Sequence, residues 1–171
     1  YSSDIEAKHL MFTNTSILQC IRKLFGNDVF DKNGCLDRKK LGQKVFSNIH
    51  LLNELNAIVH PLVREHFKEW IKKQTNSPYI LNESAIIFEH NLHKELDAVI
   101  VVLAPENIRI KRVIGRDHFQ ENEVLQRINN QITDHERKQK GNYFIINDEQ
   151  IPVIPQVLNI NTLLLSKSKE G

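Results

Sequence analysis

An α/β fold, a three-layer arrangement with a parallel sheet between helices on both faces, follows from three features of this 171-residue sequence. Ala98-Val99-Ile100-Val101-Val102-Leu103 is a continuous, mostly β-branched run, the pattern of a strand buried on both faces. Tyr143-Phe144-Ile145-Ile146-Asn147 reads as a second strand. The stretch between the two has helical periodicity, and strands alternating with helices indicate a parallel sheet.

The elements follow in order. Leu10, Met11, Ile17, Leu18, Ile21, Leu24 and Phe25 recur at helical intervals, and Gly26 is placed to end that element. Asp31-Lys32-Asn33-Gly34 is a turn, because Asn-Gly readily supplies positive φ. Asp37 is a predicted N-cap ahead of Leu41, Val45 and Phe46. From about 49 to 74 the apolar residues keep helical spacing on both sides of Pro61, which predicts two helices or one kinked there. Short apolar runs occupy 79–83 and 85–88. Pro105 is expected in the first turn of a helix whose stripe is Ile110, Val113 and Ile114. A long polar helix is predicted over about 121–140, with Val124, Leu125, Ile128 and Ile132 facing inward. A last helix runs from Pro152 to about Ser166 despite Pro155.

Composition excludes several classes. With 40% hydrophobic and 26% charged residues, six Gly and five Pro, the chain is neither disordered nor low-complexity. No apolar run approaches the ~18 residues of a membrane span. Lys and Arg number 23 against 21 Asp and Glu, a balance that gives no case for a dedicated duplex-DNA binder. Cys20 and Cys35 read as reduced, partly buried thiols rather than a disulfide framework. Tyr1-Ser2-Ser3-Asp4 is polar from the start, so no signal peptide is read and a cytoplasmic location is expected. Because the first residue is not Met, the chain is expected to be processed or to begin inside a longer one.

Four constellations can carry chemistry. Asp4 lies where a strand would hand over to a helix, the place where α/β folds gather ligands; taken alone, it reads first as an N-cap for a helix beginning at Ile5. His60, in His-Pro-Leu, stands at an expected helix break with Arg64 one turn beyond, and either presents a ring nitrogen to an anion or caps the preceding helix. Arg109, Arg112 and Arg116 are spaced three and four apart, so they share one helix face. Such a row suits a polyphosphate, since each guanidinium offers planar, permanently charged donors, but a solvated cationic face has the same spacing. Gly115 would let the chain leave the helix for a mobile segment. Gln131, Glu136 and Arg137 follow on the next helix, where ion pairs of an ordinary surface helix are the alternative. His90 and His93 lack the Cys or carboxylate company of a zinc site, so no metal ligands are assigned.

Taken in order, these pieces resemble the dephospho-coenzyme A kinase family from Asp4 to about Asn147. Asp4-Ile5-Glu6-Ala7-Lys8 is similar to that family's Asp-x-x-Ala-Arg/Lys segment. Phe25-Gly26, Asn33-Gly34-Cys35-Leu36-Asp37-Arg38 and Val45-Phe46 resemble its Phe-Gly…Asp-Gly-x-Leu-Asp-Arg…Val-Phe stretch. Leu52-Asn53 through His60-Pro61-Leu62 resembles its Leu-Asn…His-Pro-Leu helix, and Ile86-Ile87-Phe88-Glu89 its Leu-Leu-Phe-Glu. Lys111-Arg112…Arg116-Asp117 and Gln131…Glu136-Arg137 resemble the segments flanking its lid. Ala85 stands where the family usually has Pro, and Ile146-Asn147 where it often has Asp-Asn. None of the glycines at 26, 34, 42, 115, 141 and 171 opens a Gly-x4-Gly-Lys loop, so the family's first strand, phosphate loop and first helix are expected to be absent from these residues.

The resemblance implies a single P-loop kinase-like domain over 1–171, with a helical coenzyme A-binding region at 14–77 and a lid at 115–140. It implies transfer of the ATP γ-phosphoryl group to the ribose 3′-hydroxyl of dephospho-coenzyme A, with Mg²⁺ accompanying ATP. Without the phosphate loop, the 171 residues alone are expected not to turn over. Asp4 would receive the hydroxyl proton, and Arg112 and Arg116 would stabilise the phosphates. Lys8, His60, Arg64 and Glu89 would hold the acceptor, and Arg137 and Asn147 would contact ATP. Glu83 and Glu89 are weaker candidates for a magnesium-bound water. No nucleic-acid or membrane partner is expected, and the protein would act as a monomer or weak homo-oligomer. Another P-loop small-molecule kinase, such as a nucleoside or nucleotide kinase, and a non-catalytic coenzyme A-binding relative are the alternatives.

Overall fold

Tyr1–Ser84 and Ala85–Gly171 are separate units of the chain. The computed structural model describes residues 1–46, 48–129 and 131–169, without the Phe46 side chain, so that expected apolar position lies outside the described residues.

In the first unit, Ile17, Ile21 and Phe25 recur every four residues and are buried, as their spacing predicts. The helical stretch around them is two helices rather than one: α1, Ser3–Thr13, and α2, Thr15–Phe25. Asn14 makes the break, because its Oδ1 accepts from the Ile17 backbone N–H at 3.1 Å and starts a new helix. Gly26, at φ 81°, ends α2, and its N–H donates to the Arg22 carbonyl at 3.0 Å. Asp31 Oδ1 then accepts from the Asn33 and Cys35 N–H groups, and Gly34 takes φ 80° in the predicted turn. Asp37 caps as predicted, accepting from Lys39 and Lys40 N–H ahead of α3, Arg38–Phe46.

Helix α4 is unbroken from Ile49 to Lys72, with Pro61 inside it. Proline removes one N–H, but Leu55, Val59 and Val63 stay on one buried line, and that packing carries the helix across the gap. These residues join Leu10, Ile17, Ile21, Phe25, Val29, Phe30, Leu36 and Leu41 in a single core, so α4 is the spine on which α1, α2 and α3 pack. Cys20 and Cys35 are both exposed, not partly buried, since each lies off that apolar line.

The second unit holds a two-stranded parallel sheet, β1 at Ile100–Leu103 and β2 at Tyr143–Ile146, in register Ile100↔Tyr143 to Leu103↔Ile146. The larger sheet implied by a three-layer fold is not formed by the described residues. Residues 85–90 make turns instead of a strand, and 79–83 contributes one isolated parallel bridge, Ser2↔Glu83, within the first unit. Nor is β1 buried on both faces: Val101 and Leu103 are buried, but Val102, pointing to the opposite face, is 59% exposed among the described residues. Gly141 lets the chain enter β2 closely, since a Cβ there would lie 2.5 Å from Val101 Cγ2.

Between the strands, Pro105 stands at the N-cap position, one residue before α5, Glu106–Asp117, and its carbonyl accepts from Ile108 and Arg109 N–H. Gly115 is helical; the exit from α5 is made by His118 at φ 57°. The predicted long helix over 121–140 is two helices, α6 at Glu121–Asn129 and α7 at Asp134–Lys140. The reason is local: Thr133 Oγ1 accepts from the Glu136 N–H while the Glu136 carboxylate accepts from the Thr133 N–H, a capping box that opens a fresh helix. The last helix, α8 at Val153–Lys167, tolerates Pro155 in its first turn, where no intrahelical bond is lost. Gln156 joins α8 to the sheet by accepting from the Ile146 N–H at 2.8 Å and donating to its carbonyl at 2.9 Å. Among the described residues no helix is long and apolar enough to cross a membrane.

Candidate active site

The sequence candidates fall into two groups, one in each unit. In the first, Ser2 pairs with Glu83 in a parallel bridge, the Ser3 N–H donates to the Glu83 carbonyl at 2.8 Å, and the Glu83 N–H donates to the Tyr1 carbonyl at 2.8 Å. The chain therefore leaves a strand-like pairing and enters α1 directly, with Asp4 in its first turn. Asp4 is not the N-cap of a helix starting at Ile5, because α1 begins at Ser3 and Ser2 holds the cap position. Ser2 Oγ donates to Glu83 Oε2 at 2.6 Å, and Ser3 Oγ donates to Asn82 Oδ1 at 2.8 Å. Lys8 is exposed one turn further along α1.

His60 and Arg64 lie half-buried on one face of α4, a turn apart. His60 neither caps a helix nor stands at a break, because α4 passes through Pro61 without interruption. Next to Arg64 on that helix, the Tyr1 hydroxyl bonds to His66 Nδ1 at 2.9 Å, and the Tyr1 ring leans on Phe67 and Trp70. Burial, and secondarily the Glu6 carboxylate, push the Tyr1 hydroxyl up to about 12.

In the second unit the three arginines of α5 have different partners. Arg109 reaches both oxygens of Asp134, at 3.2 and 2.9 Å. Arg137 reaches the same carboxylate at 3.1 Å and Gln131 Oε1 at 2.8 Å, and its side chain is only 16% exposed. Arg112 donates to the Asn147 carbonyl and to Asn147 Oδ1, both at 3.1 Å, and to Glu149 Oε1 at 3.2 Å. The structure thus brings Arg112 and Asn147 together at the carboxyl end of β2. Arg116 is 74% exposed and pairs with its neighbour Asp117, whose carboxylate pushes the guanidinium further up. Glu89 is half-buried and accepts from the Ile132 N–H at 3.2 Å. Asp148 and Glu149 complete the loop after β2. The Ile151 N–H, and next the Gln150 N–H, hold the Asp148 carboxyl below its usual range, and Glu149 takes φ 70°.

Sequence reasoning missed Asp134, Asn82 and Glu149. Thr133-x-x-Glu136 is a capping-box spelling that marks Asp134 as a first-turn residue, so that one was findable. Among the described residues no group of three or more His, Cys, Asp or Glu is placed to hold a metal ion.

The family model described as dephospho-CoA kinase matches residues 2–152. A dephospho-CoA kinase of Bacteroides fragilis strain YCH46 is 34% identical over 167 residues, covering 98% of this chain and 81% of the relative. One from Idiomarina loihiensis is 32% identical, covering 92% of this chain and 77% of the relative. Among solved structures, TT1252 from Thermus thermophilus superposes with a TM-score of 0.78 at 25% identity, covering 97% of this chain and 82% of that one. Dephospho-CoA kinase from Campylobacter jejuni shares the fold, with a TM-score of 0.64 at 23% identity over 99% of this chain and 84% of its own.

Proposed function

The chain belongs to the dephospho-CoA kinase family, and from that premise we propose how its residues divide the work of moving the γ-phosphoryl group of MgATP onto the 3′-hydroxyl of dephospho-coenzyme A. Phosphoryl transfer passes through a loose transition state with dispersed charge, so the protein mainly positions the reactants and neutralises charge. Asp4 accepts a hydrogen bond from the attacking hydroxyl and takes its proton late in the transfer. Its place in the first turn of α1, straight after the Ser2↔Glu83 bridge, supports this role, because strand-to-helix handovers are where α/β folds present ligands.

Arg112 and Arg116 stabilise the transferring and β-phosphates. Arg112 also steadies Asn147, which contacts the nucleotide from the end of β2. Arg116, exposed at the end of α5 just before the left-handed His118, is the arginine with most freedom to follow a closing lid at 115–140. Arg137 supplies a second charge to ATP from α7. Lys8, His60, Arg64 and Glu89 bind the acceptor, whose pantetheine arm lies on the helical region at 14–77. Glu83 and Glu89 are each weaker candidates to hold a water of the Mg²⁺ that would accompany ATP and offset phosphate charge.

The single observation that carries the function is the family match across residues 2–152. An acceptor screen with coupled ADP release tests it: dephospho-coenzyme A is the preferred acceptor. A preference for nucleosides or nucleotides would replace the proposal with another small-molecule kinase.

A further inference from the structure

A serine at a helix N-cap ordinarily turns its hydroxyl onto its own helix, accepting from an N–H of the first turn. Ser2 does not: α1 has no side-chain cap, and the Ser2 hydroxyl donates to Glu83 instead. The next residue repeats the choice, since the Ser3 hydroxyl donates to Asn82 Oδ1 across 79 residues of sequence. Two hydroxyls at the start of one helix therefore hold two consecutive residues of the 79–83 segment, on top of the two backbone bonds that link the same strands of chain. A cap left unmade at Ser2 and a second long-range hydroxyl bond from Ser3, beside a residue with a proposed chemical role, mark a device that fixes geometry.

We propose that the Ser3–Asn82 pair, supported by Ser2–Glu83, is a positioning clamp that sets the direction of the first turn of α1 and thereby the carboxylate of Asp4. The inference rests on Asp4 being the group that receives the hydroxyl proton. The backbone bonds pin Tyr1 and Ser3 to the 79–83 segment. The Ser3 hydroxyl, one residue before Asp4, adds a side-chain tie from the first turn itself. Asn82 serves here as an acceptor, so serine or threonine at position 3 can be held equally well.

The experiment is a double-mutant cycle on the protein expressed from its whole reading frame, with kcat, both KM values and the thermal midpoint measured for each variant. Ser3→Ala and Asn82→Ala each lower kcat roughly tenfold, part of the hundredfold that a misplacement of ~1 Å costs. KM for ATP and for dephospho-coenzyme A and the thermal midpoint stay near wild type. The double variant is no slower than either single one, and Ser3→Thr restores kcat. Losses that multiply in the double variant, or single variants with unchanged kcat, overturn the clamp. So does a fall in thermal midpoint that tracks kcat. Asp4→Asn in the same assay separates the two claims: if it lowers kcat steeply while Ser3→Ala leaves kcat unchanged, only the clamp fails. If Asp4→Asn turns over normally, the role of Asp4 fails and the clamp with it.

Discussion

Asp134 receives both terminal nitrogens of Arg109, and the same carboxylate holds Arg137 from one turn along its own helix. One negative charge thus ties two guanidiniums from α5 and α7 at the base of the proposed lid. Removing one partner of a buried ion pair costs ~3–5 kcal/mol. Asp134 is 39% exposed, so water relieves part of that, and Asp134→Ala is expected to destabilise the protein by about 2 kcal/mol. Urea unfolding measures it. An effect within ~0.5 kcal/mol, the range of an ordinary surface change, shows that the pairing contributes little.

Asp4→Asn keeps size and polarity but cannot take a proton. In the protein expressed from its whole reading frame, kcat is expected to fall by ~10²–10⁴-fold, the usual scale of general-base help, with KM for dephospho-coenzyme A little changed. A weakened KM with intact kcat makes Asp4 a binding residue instead.

Two glycines give opposite predictions. At Gly141 an added Cβ meets Val101 Cγ2 at 2.5 Å, Phe144 Cε1 at 3.1 Å and the Arg137 carbonyl at 3.2 Å. Gly141→Ala is therefore expected to cost ~1–3 kcal/mol through overpacking where the chain enters β2. Gly42 sits inside α3, and among the described residues nothing lies within 4 Å of the same position. There, alanine is expected to stabilise by ~0.5–1 kcal/mol through helix propensity. Chemical denaturation of both variants decides the matter, and equal effects would contradict the packing described.

Tyr1 gives an alkaline prediction. Its hydroxyl titrates at about 12 in the folded chain against an ordinary value of 10.0. Below pH 10 the phenol is neutral in both folded and unfolded chains, and its contribution to stability is present in full. As pH rises from 10 towards 12 the unfolded chain ionises first, so that contribution is lost progressively. Tyr1→Phe should flatten this part of the stability profile, and a difference titration of tyrosinate absorbance should show one late-ionising group. A Tyr1 that ionises at the ordinary value removes the basis for the claim.

Much of the architecture was legible because it is written in local chemistry. Ile17, Ile21 and Phe25 at helical spacing, Asp37 as a cap, Gly26 and Gly34 at positive φ, and the paired runs of β1 and β2 are signals carried by a few adjacent residues. So were Asp4, Arg112 and Asn147 as candidates, since a motif is a string. The misjudged boundaries had local causes too: Asn14 and Thr133 each start a helix through one side-chain oxygen that a periodicity count passes over.

What the tertiary structure alone decided is partnership. Three arginines on one helix face look equivalent in sequence, yet Arg109 is held by Asp134, Arg112 by Asn147 and Glu149, and Arg116 by its neighbour. Pro61 ought to interrupt a helix, and buried Val59 and Val63 on either side keep it whole. Ser2 and Ser3 find Glu83 and Asn82 some eighty positions away. Helix starts, turns and strand patterns depend on torsional and hydrogen-bonding preferences within a few residues, so the sequence by itself determined them. The choice among distant partners for a charge or a hydroxyl depends on which surfaces packing brings together, and only the folded chain specifies that.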